Sequence, residues 1–194
     1  MEYELLIKSL QREYPDINII AIFKAGSCSW ECPTAHDQDF FVLVDNEWER
    51  GCRTLYKRMD IFIYPLKVCL AQIPWGASWP MLRALVTGNV EWGSIPCQMK
   101  WEEVKIRAIQ EAYGWVLLSI AKILSPRLPI YLISKLQYYN WLIYFTAKKN
   151  GDFTLSEEER AQVQHIHDIN GGTLTELLEL KENYEKYFSS IINN

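Results

Sequence analysis

Two acids separated by one residue stand directly before an apolar segment. Asp37, Gln38 and Asp39 lead into Phe-Phe-Val-Leu-Val at 40–44. In a strand, residues two apart point to the same side, so we expect the carboxylates of Asp37 and Asp39 to lie close together. Two anions that close repel each other unless a cation lies between them or one is protonated. Mg²⁺ prefers carboxylate oxygens and retains waters that a phosphate can replace, so the pattern predicts a magnesium site.

A third acid and a Gly-Ser pair extend this hypothesis. The segment "RMDIFIY" at 58–64 alternates in polarity as a strand does and carries Asp60. If this strand is a neighbour of the one at 39–44, three carboxylates converge, as a two-metal phosphoryl-transfer site requires. Gly26 and Ser27 follow an earlier apolar strand. Glycine lets the backbone approach a phosphate, and the serine hydroxyl with nearby N–H groups can hold its oxygens. The alternative is structural, with Asp60 paired to Lys57 or Arg58.

The elements that must position these residues fall into two groups. The patterns predict a helix at 2–13, strands at 17–24, 39–44, 58–64 and 90–92, and a short helix that ends near Gly88. After Pro96 the apolar period becomes helical, and it predicts helices at about 101–124, 130–149, up to 168, and 173–192. Thr154 or Ser156 is the expected cap of the third of these. Strands followed by helices indicate an α+β fold with an all-α C-terminal domain.

The order of these motifs resembles the nucleotidyltransferase superfamily of the DNA polymerase β type. The matching features are an apolar strand, Gly26-Ser27, a nine-residue spacer, Asp37-x-Asp39, and a later strand with a lone Asp60. The likeness covers about residues 17–92, and it is to a small member of the kanamycin nucleotidyltransferase-like or minimal nucleotidyltransferase-like kind. It implies a small mixed β-sheet in a catalytic domain at 1–97, followed by a helical domain at 98–194.

The resemblance also implies a reaction. An NMP would pass from an NTP to a hydroxyl of an unidentified acceptor, which is a small molecule, a protein or an RNA end. Asp37 and Asp39 would hold two Mg²⁺ ions, and Asp60 would bind the catalytic ion and draw the proton from the acceptor hydroxyl. Ser27, with Gly26, would bind the β- and γ-phosphates. The competing hypothesis is a non-catalytic module of the same fold that binds a nucleotide or a protein partner, in a defence, toxin–antitoxin or phage context.

Composition sets the broad class. The chain has 194 residues, a net charge of −4 and no apolar stretch of the ~18 residues that a membrane span needs. A charged amphipathic N-terminus and an odd number of cysteines, five, favour a reducing, cytoplasmic setting. Residues 100–149 carry eight basic and three acidic side chains, whereas 150–194 carry three and nine. The basic stretch keeps an RNA partner open, although a solvated helix face is the favoured interpretation.

Weaker patterns point elsewhere. Arg160 and His165 resemble the Arg-x4–6-His motif of HEPN ribonucleases, a pattern that is frequent by chance. Cys28, Cys32 and His36 recur every four residues, as zinc ligands on a helix would, but Pro33 interrupts such a helix. The predicted helices carry many aromatic residues, which we expect in the core. A tryptophan at 75, 79 or 92 is a candidate for stacking on a nucleotide base.

Overall fold

The computed structural model describes residues 3–35, 38–71, 78–125 and 136–192. The chain divides into two compact units, Met1–Met99 and Lys100–Asn194. The first unit holds all the described strands and the second only helices, which is the α+β class predicted from the order of the patterns.

A five-stranded mixed sheet forms the first unit. Its strands are β1 (Ile19–Ala25), β2 (Asp39–Val44), β3 (Cys52–Tyr56), β4 (Met59–Pro65) and β5 (Trp92–Gly93). They lie in the order β3-β4-β2-β1-β5. The pair β2–β4 is parallel, and the other three pairs are antiparallel. The parallel pair occupies the centre of the sheet, so the two strands that carry Asp39 and Asp60 are direct neighbours.

Helices cover both faces of the sheet. They are α1 (Tyr3–Glu13), α2 (Leu66–Ala71) and α3 (Ser78–Thr87). Phe23 and Phe41 of the strands pack on one face with Met81 and Leu85 of α3, and we call this the α3 face. On the opposite face Ile22, Val42 and Ile61 pack with Leu6 and Leu10 of α1. Apolar residues therefore point to both faces, which explains why β2 is an unbroken apolar run rather than an alternating one.

The sequence patterns missed the edge strand β3 and the short helix α2. Every residue of β3 is at least partly exposed, and "CRTLY" is too short and too polar to be recognised as a strand by its apolar content. The turn to β4 consists of Lys57 and Arg58, which both have positive φ, 47° and 72°. Two-residue hairpin turns of this kind are usually marked by Asn-Gly or Asp-Gly, and neither is present here.

Four helices form the described part of the second unit. They are α4 (Trp101–Leu124), α5 (Gln137–Lys148), α6 (Glu157–Asp168) and α7 (Leu174–Ile192). The observed α4 has the predicted bounds, while the predicted start of α5 at 130 lies outside the described residues. Ser156 caps α6, because its hydroxyl accepts from the N–H of Glu159. The aromatic residues Tyr138, Trp141 and Phe145 are buried, as expected of core side chains.

None of the described helices is long and apolar enough to cross a membrane.

The burial of the cysteines predicts their chemical reactivity. Cys69 is fully buried, and burial raises the pKa of its thiol to about 12. Cys97 is exposed. Because the thiolate is the nucleophile, we expect iodoacetamide at pH 8 to alkylate Cys97 first and Cys69 only in the unfolded chain. Mass spectrometry of peptides from native and urea-treated protein measures this order, and rapid native labelling of Cys69 would contradict the described packing of α2.

Candidate functional site

Asp39 and Asp60 lie side by side at one end of the central parallel pair. Phe40 is paired with Ile61 in the β2–β4 register, so Asp39 and Asp60 form the preceding pair. Their side chains share the α3 face with the residues two positions further on, Phe41 and Phe62, whose ring centroids are 5.3 Å apart. The sequence expectation that these two acids meet on one face of the sheet is thus met by the geometry.

A hydrogen bond joins the two acids. The backbone N–H of Asp60 donates to Oδ1 of Asp39 at 3.2 Å. Both residues are half-buried, and the side chain of Asp60 is 23% exposed. Asp37, the predicted partner just before the start of β2, lies outside the described residues. The described part of the site is therefore a pair of carboxylates on adjacent strands.

Gly26 closes the site on the side of β1. Ala25 pairs with Asp39 in the β1–β2 register, and Gly26 follows at the start of a 3-10 turn, Gly26–Trp30. Gly26 has a φ of +58°, and a Cβ added to it would lie 2.6 Å from Oδ2 of Asp39. Glycine is favoured here, because other residues are strained at this φ and their Cβ would displace the carboxylate. Ser27 is 8% exposed, and its carbonyl accepts from the N–H of Cys32 at 3.2 Å.

Asp60 forms an ion pair with Arg53, which the sequence patterns did not predict. Nε and Nη2 of Arg53 donate to its Oδ1 and Oδ2 at 2.8 and 2.6 Å. The alternative partners proposed from sequence were Lys57 and Arg58. The ammonium of Lys57 lies instead over the ring of Tyr56, 5.3 Å from its centroid, and Tyr56 packs on the opposite face of the sheet. Arg53 was missed because β3 itself was missed, and recognition of the 52–65 hairpin is the signal that would have found it.

A polar cavity lies beside the Gly26–Trp30 turn. It has a volume of about 180 Å³ and is lined by residues that include Lys24, Cys28, Ser29, Arg83, Asn89 and Glu91. Nη1 of Arg83 donates to the carbonyl of Ser29 at 2.9 Å, and its guanidinium lies 5.6 Å from the centroid of the Trp79 ring. These two contacts hold a half-buried cation at the turn that also carries Gly26. Sequence reasoning missed Arg83, because a lone arginine in a helix has no recognisable motif.

The charges around this cavity are unevenly paired. Nζ of Lys24 lies 3.5 Å from Glu91, which also accepts from the hydroxyl of Tyr3 at 3.2 Å. Burial, together with the negative charge of Glu91, raises the pKa of Tyr3 to about 12, so Tyr3 stays a donor at neutral pH. Among the residues that the structure describes, no carboxylate forms an ion pair with Arg83. Glu31 also lines this cavity, so two acidic and two basic side chains surround it, and Arg83 is held there by the carbonyl of Ser29 and the ring of Trp79.

The weaker sequence patterns find little geometric support. Arg160 and His165 are five residues apart on α6, which is about 140° around the helix axis. His165 Nε2 instead lies 2.9 Å from Glu176, near the start of α7. Trp79 is 1% exposed, so it is a core residue and not a platform for a base, and Trp75 lies outside the described residues. Trp92 is half-buried in β5.

The described side chains near the site offer few donor atoms to a metal ion. No group of three or more His, Cys, Asp and Glu side chains within the described ranges is arranged to hold a metal ion. The predicted zinc ligand His36 falls outside these ranges, and Sγ of Cys32 lies 3.4 Å from the hydroxyl of Thr34. The pair Asp39 and Asp60 offers only hard oxygen donors, and the Gly26 backbone packs closely against Oδ2 of Asp39. These features fit Mg²⁺ and not a softer metal.

Comparisons with known proteins give little further information. No protein-family model matches the chain, and no curated protein matches it. Among solved structures, the chain is similar to the crystal structure of a nucleotidyltransferase-like protein from Exiguobacterium sibiricum 255-15. The two are 11% identical, and the match covers 95% of this chain and 73% of that one with a TM-score of 0.32.

The crowding at Gly26 gives a testable prediction. Gly26→Ala should lower the free energy of unfolding by about 1–3 kcal/mol, because alanine is strained at positive φ and its Cβ meets the Asp39 carboxylate. Gly114→Ala is the matched control. A Cβ at Gly114 meets nothing within 4 Å, and the residue lies inside α4, so this variant should be more stable by about 0.5–1 kcal/mol. Urea denaturation measures both, and equal effects would contradict the described turn.

Proposed function

We propose that the protein is a Mg²⁺-dependent nucleotidyltransferase, which moves an NMP from an NTP to a hydroxyl of an acceptor. The observation that carries this proposal is the pair Asp39 and Asp60 on adjacent parallel strands, with the Gly26 backbone packed against Asp39. Carboxylates that meet at one end of a sheet beside a glycine turn can bring a divalent cation and a phosphate to the same point.

The acidic residues would hold the metal. Asp39 and Asp60 are its described ligands, and Asp37 is the third ligand proposed from sequence. Two bound Mg²⁺ ions would supply Lewis-acid stabilisation of the charge that develops on the transferred phosphoryl group. The carboxylate of Asp60 would accept the proton of the acceptor hydroxyl. The half-burial of both described acids supports this role, since they can meet a ligand without being fully hydrated.

The turn and the cavity would hold the phosphates. Gly26 and Ser27 are the proposed phosphate-binding residues of the turn. Two residues further along, Ser29 fixes Arg83 through its carbonyl, so a guanidinium stands beside the same turn. Arginine binds phosphate oxygens with several donors at once, and a guanidinium already held in place loses little entropy on binding. Catalysis would then consist mainly of positioning and charge neutralisation.

One observation favours a second candidate function. Both carboxylate oxygens of Asp60 accept from Arg53, so this acid is satisfied without a metal ion. A non-catalytic module of the same fold, which binds a nucleotide through Arg83 or binds a protein partner, would keep such an arrangement. Magnesium-dependent release of pyrophosphate from an NTP separates the two functions. The acceptor remains to be found among small molecules, proteins and RNA ends.

Replacing one acid tests the metal site. Asp39→Asn should lower transferase activity by at least about 10²-fold, because a metal ligand is lost. The free energy of unfolding should stay within about 1 kcal/mol of wild type, since the asparagine oxygen can still accept from the N–H of Asp60. Asp45→Asn, an exposed acid just beyond the other end of β2, is the control and should change neither quantity.

Activity is followed as pyrophosphate release, and stability as melting temperature with and without Mg²⁺-NTP. Wild type should melt higher with Mg²⁺-NTP by mass action, and Asp39→Asn should not. An Asp39→Asn protein that melts far below wild type without metal, yet still responds to Mg²⁺-NTP, would show that this acid serves the fold.

Replacing the arginine of the cavity tests the phosphate site. Arg83→Met should weaken binding of a non-hydrolysable NTP by about 10–100-fold, since charged hydrogen bonds contribute about 1.5–3 kcal/mol. Arg12→Met, an exposed arginine in the last turn of α1, is the control for net charge. Isothermal titration calorimetry measures both. Equal affinities in Arg83→Met and wild type would remove the cavity from the proposed site.

A further inference from the structure

The ion pair between Arg53 and Asp60 is a bidentate charge contact at the site. Its donor–acceptor distances are 2.8 and 2.6 Å, and the guanidinium also lies 5.7 Å from the centroid of the Phe62 ring. Arg53 faces Phe62 across the β3–β4 pair, one step along the same face from Asp60. Across the α3 face the order of groups is therefore Arg53, Asp60, Asp39 and Gly26, which places the cation on the far side of the acids from the turn.

In this arrangement Arg53 and a metal ion would compete for the carboxylate oxygens of Asp60. A guanidinium that takes both oxygens of a carboxylate occupies the lone pairs that a cation would use, and its charge repels a divalent ion nearby. We propose that Arg53 is a positioning residue, which holds Asp60 while no metal is bound and is displaced from it when a divalent cation binds. Arg53 thereby sets the metal affinity of the site. This inference rests on the proposed function, because it requires that Asp60 is a metal ligand.

The surroundings of Arg53 indicate that its displacement from Asp60 costs little free energy. Its side chain is 62% exposed on the edge strand β3, whereas that of Asp60 is 23% exposed. Exposed ion pairs contribute little to stability, so the guanidinium can leave the carboxylate without unfolding the hairpin. After it leaves, the ring of Phe62 remains as a stacking partner. Asp60 by contrast is fixed by the central parallel pair, so it is the arginine that moves.

Metal binding without nucleotide tests the proposal. The titration of Mn²⁺ into wild type, Arg53→Met and Arg53→Lys is followed by the loss of the free-ion electron paramagnetic resonance signal. Arg53→Met should bind Mn²⁺ about two- to fivefold more tightly than wild type, in line with the small free energy of an exposed ion pair. Arg53→Lys should fall between them, because a single ammonium cannot take both carboxylate oxygens in the same way. Far-UV circular dichroism checks that each variant is folded. If Arg53→Met does not fold, the comparison of Arg53→Lys with wild type tests the proposal.

Two further variants separate the possible outcomes. Arg58→Met removes a positive charge from the same hairpin, so a gain in affinity equal to that of Arg53→Met would show a general charge effect and overturn the proposal. Asp39→Asn reports the location of the ion and should bind Mn²⁺ much more weakly. If wild type binds Mn²⁺ through Asp39 and Arg53→Met is no tighter, the role of Arg53 fails while the metal site stands. If no protein in the set binds Mn²⁺, or if Asp39→Asn binds Mn²⁺ as tightly as wild type does, both the role of Arg53 and the proposed function fail.

Discussion

The parallel pairing of β2 with β4 is the constraint on which the rest of the site depends. It sets Asp39 beside Asp60, and the backbone N–H of Asp60 locks the pair by donating to Asp39. A shift of one residue would turn one acid to the opposite face, which is filled by apolar side chains around Leu6 and Leu10. The apolar residues on both faces thus fix the register, and the register fixes the distance between the acids.

Charge balance at this point is obtained partly from the edge strand and partly within the parallel pair. Two half-buried carboxylates on adjacent strands repel each other. A hydrogen-bond donor offsets this repulsion at each acid, and the donor differs between the two. Asp60 pairs with Arg53 of the edge strand, and Oδ1 of Asp39 accepts from a backbone N–H. Each described acid thus has a donor from the protein itself, and both residues are half-buried. On this account, the metal affinity is set by the free energy gained when the acids bind the cation, less the free energy needed to release Arg53 from Asp60.

Local sequence patterns predicted much of this arrangement. The bounds of β2 and α4 could be predicted, because an unbroken apolar run and a sustained 3.6-residue period are strong local signals. The convergence of Asp39, Asp60 and Gly26 followed from their positions at strand ends. Arg53 could not be predicted, since it lies on a short, polar edge strand whose turn lacks the usual residues. Arg83 could not be predicted either, because its position depends on how a helix packs on the sheet rather than on its own sequence neighbours.

The account's central claim is that one divalent cation joins Asp39, Asp60 and the phosphates of an NTP. The most direct measurement is a crystal structure with Mn²⁺ and a non-hydrolysable NTP, in which anomalous scattering locates the ion. The account predicts an anomalous peak about 2.0–2.3 Å from carboxylate oxygens of both acids, with a phosphate oxygen as a further ligand and Arg53 turned away from Asp60. A nucleotide bound with no peak at the acids, or a peak elsewhere with the Arg53–Asp60 pair intact, would contradict it.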